Sequence, residues 1–196
     1  MQTQKDEVKN NIISAAIEEF LVSGYENSSM RIIAANAGIT VGNIYSYFNS
    51  KDDLFETIVL PTVKEIRELI SMNISTNNKI TKASAIEITG HILTVFLKNR
   101  QEFLILMHSA KSSKYENIKS VIHQEIKTRL LIDLFPRLPQ RMENEIWADT
   151  LSLVLLDGII NIVLKSDNDS ELMNNLIYDF LLLLFGDIEN RIQTEF

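Results

Sequence analysis

Apolar residues recur along this chain every three or four positions and nowhere alternate convincingly, which is the period of helices rather than strands. Val8, Ile12, Ala16 and Phe20, flanked by Ile13 and Ile17, form one stripe and predict a first helix from about Lys5 to Ser23, ended by Gly24. Residues 29–36 and 40–46 read as two short helices. Ser28 or Ser29 can cap the first, because a hydroxyl accepts an orphan backbone N–H, and Thr40 can cap the second. Between them Gly38 suits a left-handed turn position. Ser50-Lys51-Asp52-Asp53 is a capping-box pattern that opens a fourth helix to about Met72, with a kink predicted at Pro61. Ser75-Thr76-Asn77-Asn78 reads as a loop. Further helices follow over about 82–98, 103–109, 115–134, 140–165 and 170–191, with Pro136 and Pro139 ending the seventh. The expected fold is all-α, with about nine helices.

A helix, a glycine turn and a short polar-tipped helix make a helix-turn-helix, whose second helix can enter a major groove. The residues that build it are Gly24-Tyr25, Ser28-Ser29, Ile33-Ala34-Ala35-Asn36-Ala37-Gly38-Ile39-Thr40, Val41-Gly42-Asn43-Ile44, Tyr45-Ser46-Tyr47-Phe48 and Ser50-Lys51-Asp52-Asp53-Leu54. In that order they closely resemble the N-terminal DNA-binding domain of the TetR (TetR/AcrR-like) family of transcriptional regulators. The resemblance covers about a quarter of the chain; the rest shows only the family's generic shape. It implies a three-helix DNA-binding domain over residues 1–50. A larger helical domain over 51–196 would bind a ligand and dimerise.

On that reading Thr40, Val41, Gly42 and Asn43 form the amino end of the recognition helix, the end that contacts base edges. Asn43 is the best base reader, since an amide pairs with adenine in a bidentate way. Gly42 would allow close backbone approach. Tyr45, Tyr47 and Lys51 resemble the family's phosphate-contacting positions, and Ser28, Ser29, Arg31 and Ser46 complete the expected DNA-facing set. One tyrosine could instead pack between helices, and Phe48 reads as core.

Charge cuts against a simple reading. The chain carries a net −7, and residues 1–55 hold four basic and seven acidic side chains, a net of −3. A nucleic-acid binder more often shows a basic footprint. Asp52 and Asp53 fall in a first helical turn, where the helix dipole favours acid, and helix N-termini and hydroxyls hold phosphates without net charge. Few ionic phosphate contacts per subunit are expected.

Composition removes other classes. There is no cysteine, hence no disulfide framework and no thiol catalysis. The polar opening MQTQKDEVKNN contains no signal-peptide apolar stretch. Leu151–Leu164, interrupted by Ser152, Asp157 and Asn161, is shorter than the ~20 residues that span a bilayer. A cytoplasmic protein with no membrane partner is expected. His91, His108 and His123 lie 17 and 15 residues apart, without a local metal-ligand spacing, so no metal is expected. Neither a phosphate loop, a nucleophile elbow nor a zinc-protease helix appears, so neither an enzyme nor a cofactor is expected.

Phe103, Met107, His108 and Trp147 are the candidates for a small-molecule cavity, with core packing as the alternative reading of the apolar three. Leu176, Phe180 and Leu184 form an i+4 stripe, and Leu181–Phe185 is apolar all round, so that helix wants cover from more than one side. With Leu153, Asp157, Ile160 and Leu181 these residues are the candidate homodimer interface. The functional expectation is a dimeric regulator, in the repressor mode, that binds a palindromic double-stranded operator. A small, largely apolar effector would release it. The alternative is a helical interaction protein that has lost specific DNA binding.

Overall fold

The computed structural model describes residues 2–72, 82–142, 144–167 and 169–193, so the loop expected at Ser75–Asn78 lies outside the described residues. Ten helices are described: α1 Gln2–Asn27, α2 Met30–Asn36, α3 Val41–Ile44, α4 Lys51–Ser71, α5 Lys82–Lys98, α6 Arg100–Leu104, α7 Ile118–Asp133, α8 Glu145–Lys165, α9 Ser170–Phe185 and α10 Ile188–Gln193. A single π-helical turn, Ile105–Ser109, continues α6, and 3₁₀ turns lie at Phe135–Arg137 and Gln140–Met142. Strands are absent among the described residues.

Local chemistry explains where the boundaries differ from the expected ones. Gly24 breaks α1 with φ 73° and ψ 163°, a region essentially closed to other residues. The seventh helix begins at Ile118 rather than Tyr115, because the Ser113 hydroxyl takes the Tyr115 N–H (3.0 Å) and holds a turn there. The eighth begins at Glu145 rather than 140, where the Asn144 side chain accepts the Ile146 N–H (2.8 Å). The ninth stops at Phe185. Asp187, at φ 52°, turns the chain before α10 takes up the remainder.

The chain packs as two compact units, residues 1–64 with 99–119, and 65–98 with 120–196. The first contains the three helices expected over 1–50. It adds the first part of α4 and the segment around α6. Its core is the predicted stripe Ile12, Ala16 and Phe20, met by Ile33, Ala34, Ile44, Phe48, Leu54, Phe55 and Val59, all buried. The rings of Phe20, Tyr25 and Phe55 meet edge-on or tilted, with centroids 4.9–6.1 Å apart. In the second unit α9 packs on α5 and α8. It turns Met173, Ile177, Leu181 and Phe185 inward, one stripe round from the expected Leu176, Phe180 and Leu184.

Candidate nucleic-acid interface

The turn between α2 and α3 is closed by its own backbone. Gly38, at φ 69°, donates to Ala35 O (3.1 Å), and Ile39 donates to Ala34 O (3.0 Å). This paired C-terminal cap satisfies two orphan carbonyls and needs the left-handed residue that glycine supplies. Thr40 then starts α3, its Oγ1 accepting from Asn43 N at 3.2 Å. Only Ile44 of the four α3 residues is buried, so Val41, Gly42 and Asn43 stand exposed. Beyond its own helical turn and chain neighbours, no heavy atom lies within 4 Å of a Cβ built on Gly42, which leaves that face open to approach. Ser46 Oγ donates to Asn43 O (2.6 Å) and lies 3.3 Å from Asn43 Oδ1, steadying the amide. Tyr45 is exposed and Tyr47 half-buried.

Ser29 caps α2, its hydroxyl accepting from Ile32 N at 3.3 Å, and Arg31 is exposed on the same helix. Two members of the expected DNA-facing set bond within the chain. Ser28, expected among the DNA-facing residues, is instead buried, and its Oγ donates inward to Tyr25 O at 2.8 Å. Lys51 Nζ donates to Tyr25 O (2.6 Å) and Ser28 O (2.9 Å) and sits 4.2 Å from the Tyr25 ring centre. Its ammonium staples α4 to the end of α1, and desolvation holds its pKa below the usual lysine value. The capping box forms in modified shape: Asp53 N donates to Ser50 Oγ (3.1 Å), and Asp53 Oδ2 accepts from Asn49 N (2.8 Å).

One partner escaped sequence reading. Tyr25 OH donates to Asp52 Oδ1 at 2.6 Å, 27 residues away. Burial, then this hydrogen bond and the carboxylate charge, push the phenol up to about 12. No local pattern signals a bond of that sequence separation. Within the same unit Lys111 and Ser112 bond Glu26 (2.8 and 3.0 Å), Lys114 pairs with Glu56, and the Tyr115 ring tilts on Phe55. The segment 111–115 thus grips α1 and α4.

The candidate ligand residues fall in different units. Phe103, Met107 and His108 belong to the first, where Phe103 is buried in the core and His108 is exposed; Trp147 belongs to the second. Of the candidate interface residues, Ile160 and Leu181 are buried in their own unit and are corrected to core. Leu153, Asp157 and Leu176 are exposed, while Phe180 and Leu184 are half-buried. The Phe180 ring lies so close to α8 that a Cβ on Gly158 would collide with it.

Residues 12–58 match the family model described as "Bacterial regulatory proteins, tetR family". The chain is 35% identical over 60 residues to the HTH-type transcriptional regulator UidR of Escherichia coli K12, a match spanning 31% of either chain. It is 26% identical over 186 residues to the Fatty acid metabolism regulator protein of Bacillus subtilis, covering 93% of this chain and 80% of that one. A crystal structure of a TerR/AcrR-family transcriptional regulator from Aquifex aeolicus VF5 superposes with TM-score 0.63 at 21% identity, over 91% of this chain and 99% of that one. Residues 12–58 thus carry a helix-turn-helix that matches the tetR family of bacterial regulatory proteins, and the helical fold behind it is similar to that of solved transcriptional regulators.

Proposed function

We propose that this chain is a ligand-responsive transcriptional repressor that binds a palindromic operator as a homodimer. The observation that carries the DNA reading is the exposed, hydroxyl-capped amino end of α3, with Thr40, Val41, Gly42 and Asn43 in sequence on it. Residues 1–50 would be the reading head and 51–196 the ligand-binding and dimerisation domain. Support for the dimer comes from apolar side chains left outward on two adjacent helices: Leu153 and Leu164 on α8, Leu172, Leu176 and Leu183 on α9. Two copies contributing two helices each would cover them in a four-helix bundle. That demand also accounts for α8, which is long and apolar enough by length and composition to cross a membrane, although only 28% of its apolar window is buried.

The effector is a small, largely apolar molecule; the likeness to a protein named for fatty acid metabolism supports an apolar class. The protein works in the cytoplasm. Gel shift against the DNA upstream of its own gene tests the reading: a retarded, competitor-resistant complex is expected. Its absence would favour the helical interaction protein, which the acidic reading head motivates.

A further inference from the structure

Beside α8 the second unit is concave. Phe135, Leu138 and Met142, with Trp147, Leu151 and Val154 of α8 and Leu184, Ile188 and Ile192 beyond it in the chain, line a groove of about 470 Å³. That size falls in the ~300–1,000 Å³ range of small-molecule sites. The α8 members Trp147, Thr150, Leu151 and Val154 follow the i, i+3, i+4, i+7 spacing of one helix face, a stripe distinct from outward Leu153 and Asp157. The groove thus shares Leu184 with the candidate interface, but takes a different face of α8.

Among its described lining residues Thr150 and Arg191 are the polar ones, and no carboxylate is present, although the chain carries a net −7. Arg191 is also fixed in place. Its Nη1 donates to Leu183 O (3.0 Å) and Gly186 O (3.2 Å), holding the guanidinium across the end of α9. A guanidinium is planar and carries five donors, which suits it to carboxylates. We infer that this groove binds a small amphiphile, its apolar body lying along Trp147, Leu151 and Val154 and its anionic head at Arg191. The site goes beyond the repressor reading, because binding here can be measured without DNA.

Trp147 is the chain's one tryptophan, so its emission reports occupancy directly. Decanoate, 1-decanol and decyltrimethylammonium would be titrated separately into the full chain. A saturable blue shift is expected with decanoate, at lower concentration than with the alcohol, and no saturation with the cation. Arg191→Gln should weaken decanoate about tenfold, the worth of one charge-assisted hydrogen bond, and leave decanol unchanged. Because Arg191 also caps α9, Val154→Phe serves as a second variant: it adds bulk to the α8 wall of the groove without touching the Arg191 cap, and should abolish both responses. Several results would overturn the proposal: no saturable shift with decanoate, equal affinity for alcohol and acid, or full binding by Val154→Phe. Affinity that rises on dilution would do so too, by showing that a second copy covers the groove. A negative gel shift beside a positive titration would overturn the repressor alone.

Discussion

At the scale of single residues, two of the four cations in residues 1–55 have different work. Arg31 is exposed on α2, whereas Lys51 holds two backbone carbonyls. Arg31→Ala should flatten the salt dependence of operator binding by about one unit. Lys51→Met should leave that slope intact and lower stability by ~2 kcal/mol, since hydrogen bonds to charged groups contribute roughly 1.5–3 kcal/mol; salt titration and chemical denaturation separate the two. Asn43→Ala should weaken binding at particular base pairs by ~1–3 kcal/mol, and indifference to every base change would move the reading head elsewhere. Tyr25 supplies a pH test. Its folded pKa stands at about 12 against an ordinary 10.0. The folded state therefore keeps a proton that the unfolded chain gives up, and stability should fall as pH rises from 10 towards 12. Absorbance at alkaline pH should show one of the five tyrosines ionising late, and Tyr25→Phe should remove that step.

At the scale of elements, α8 and α9 make two kinds of contact that substitutions can distinguish. Within the chain they close through Gly158 and the Phe180 ring, where an added methyl has no room. Gly158→Ala should cost ~1–3 kcal/mol of stability, as overpacking does. Leu181→Glu would bury a charge among core residues and unfold the second unit rather than separate subunits. The clean test of association lies on the outward stripes. Leu153→Glu with Leu176→Glu should leave the helical signal unchanged and yield monomers by light scattering. A wild-type chain already monomeric at micromolar concentration would remove the dimer from the proposal.

At the scale of the whole molecule, a regulator requires that ligand and operator influence each other. A ligand shifts the population of the DNA-binding state only by its differential affinity for the two states. A coupling of ~1–3 kcal/mol would weaken operator binding some 5–150-fold, and operator must weaken the ligand by the same factor. Calorimetry of decanoate with and without operator checks this. Equal affinities would leave decanoate a ligand of the groove and exclude it as the inducer.

Much of this protein was legible in its sequence because the information there is local. A hydroxyl three residues before an N–H, a glycine where φ must be positive and apolar residues at i+4 are short-range constraints. They placed the α1 stripe, the Gly38 turn, the Thr40 cap and the α4 capping box. Polarity alone did not show which way each side chain faces. Ser28 and Lys51 are polar residues in the expected DNA-facing set, yet packing turns the Ser28 hydroxyl inward and sets two backbone carbonyls beside the Lys51 ammonium. α9 is apolar on several sides, so its own residues could not choose the buried stripe; α5 and α8 chose Met173, Ile177, Leu181 and Phe185. The Tyr25–Asp52 bond and the groove beside Trp147 join residues far apart in the chain. Such juxtapositions leave no trace in local spacing, and tertiary structure alone decides them.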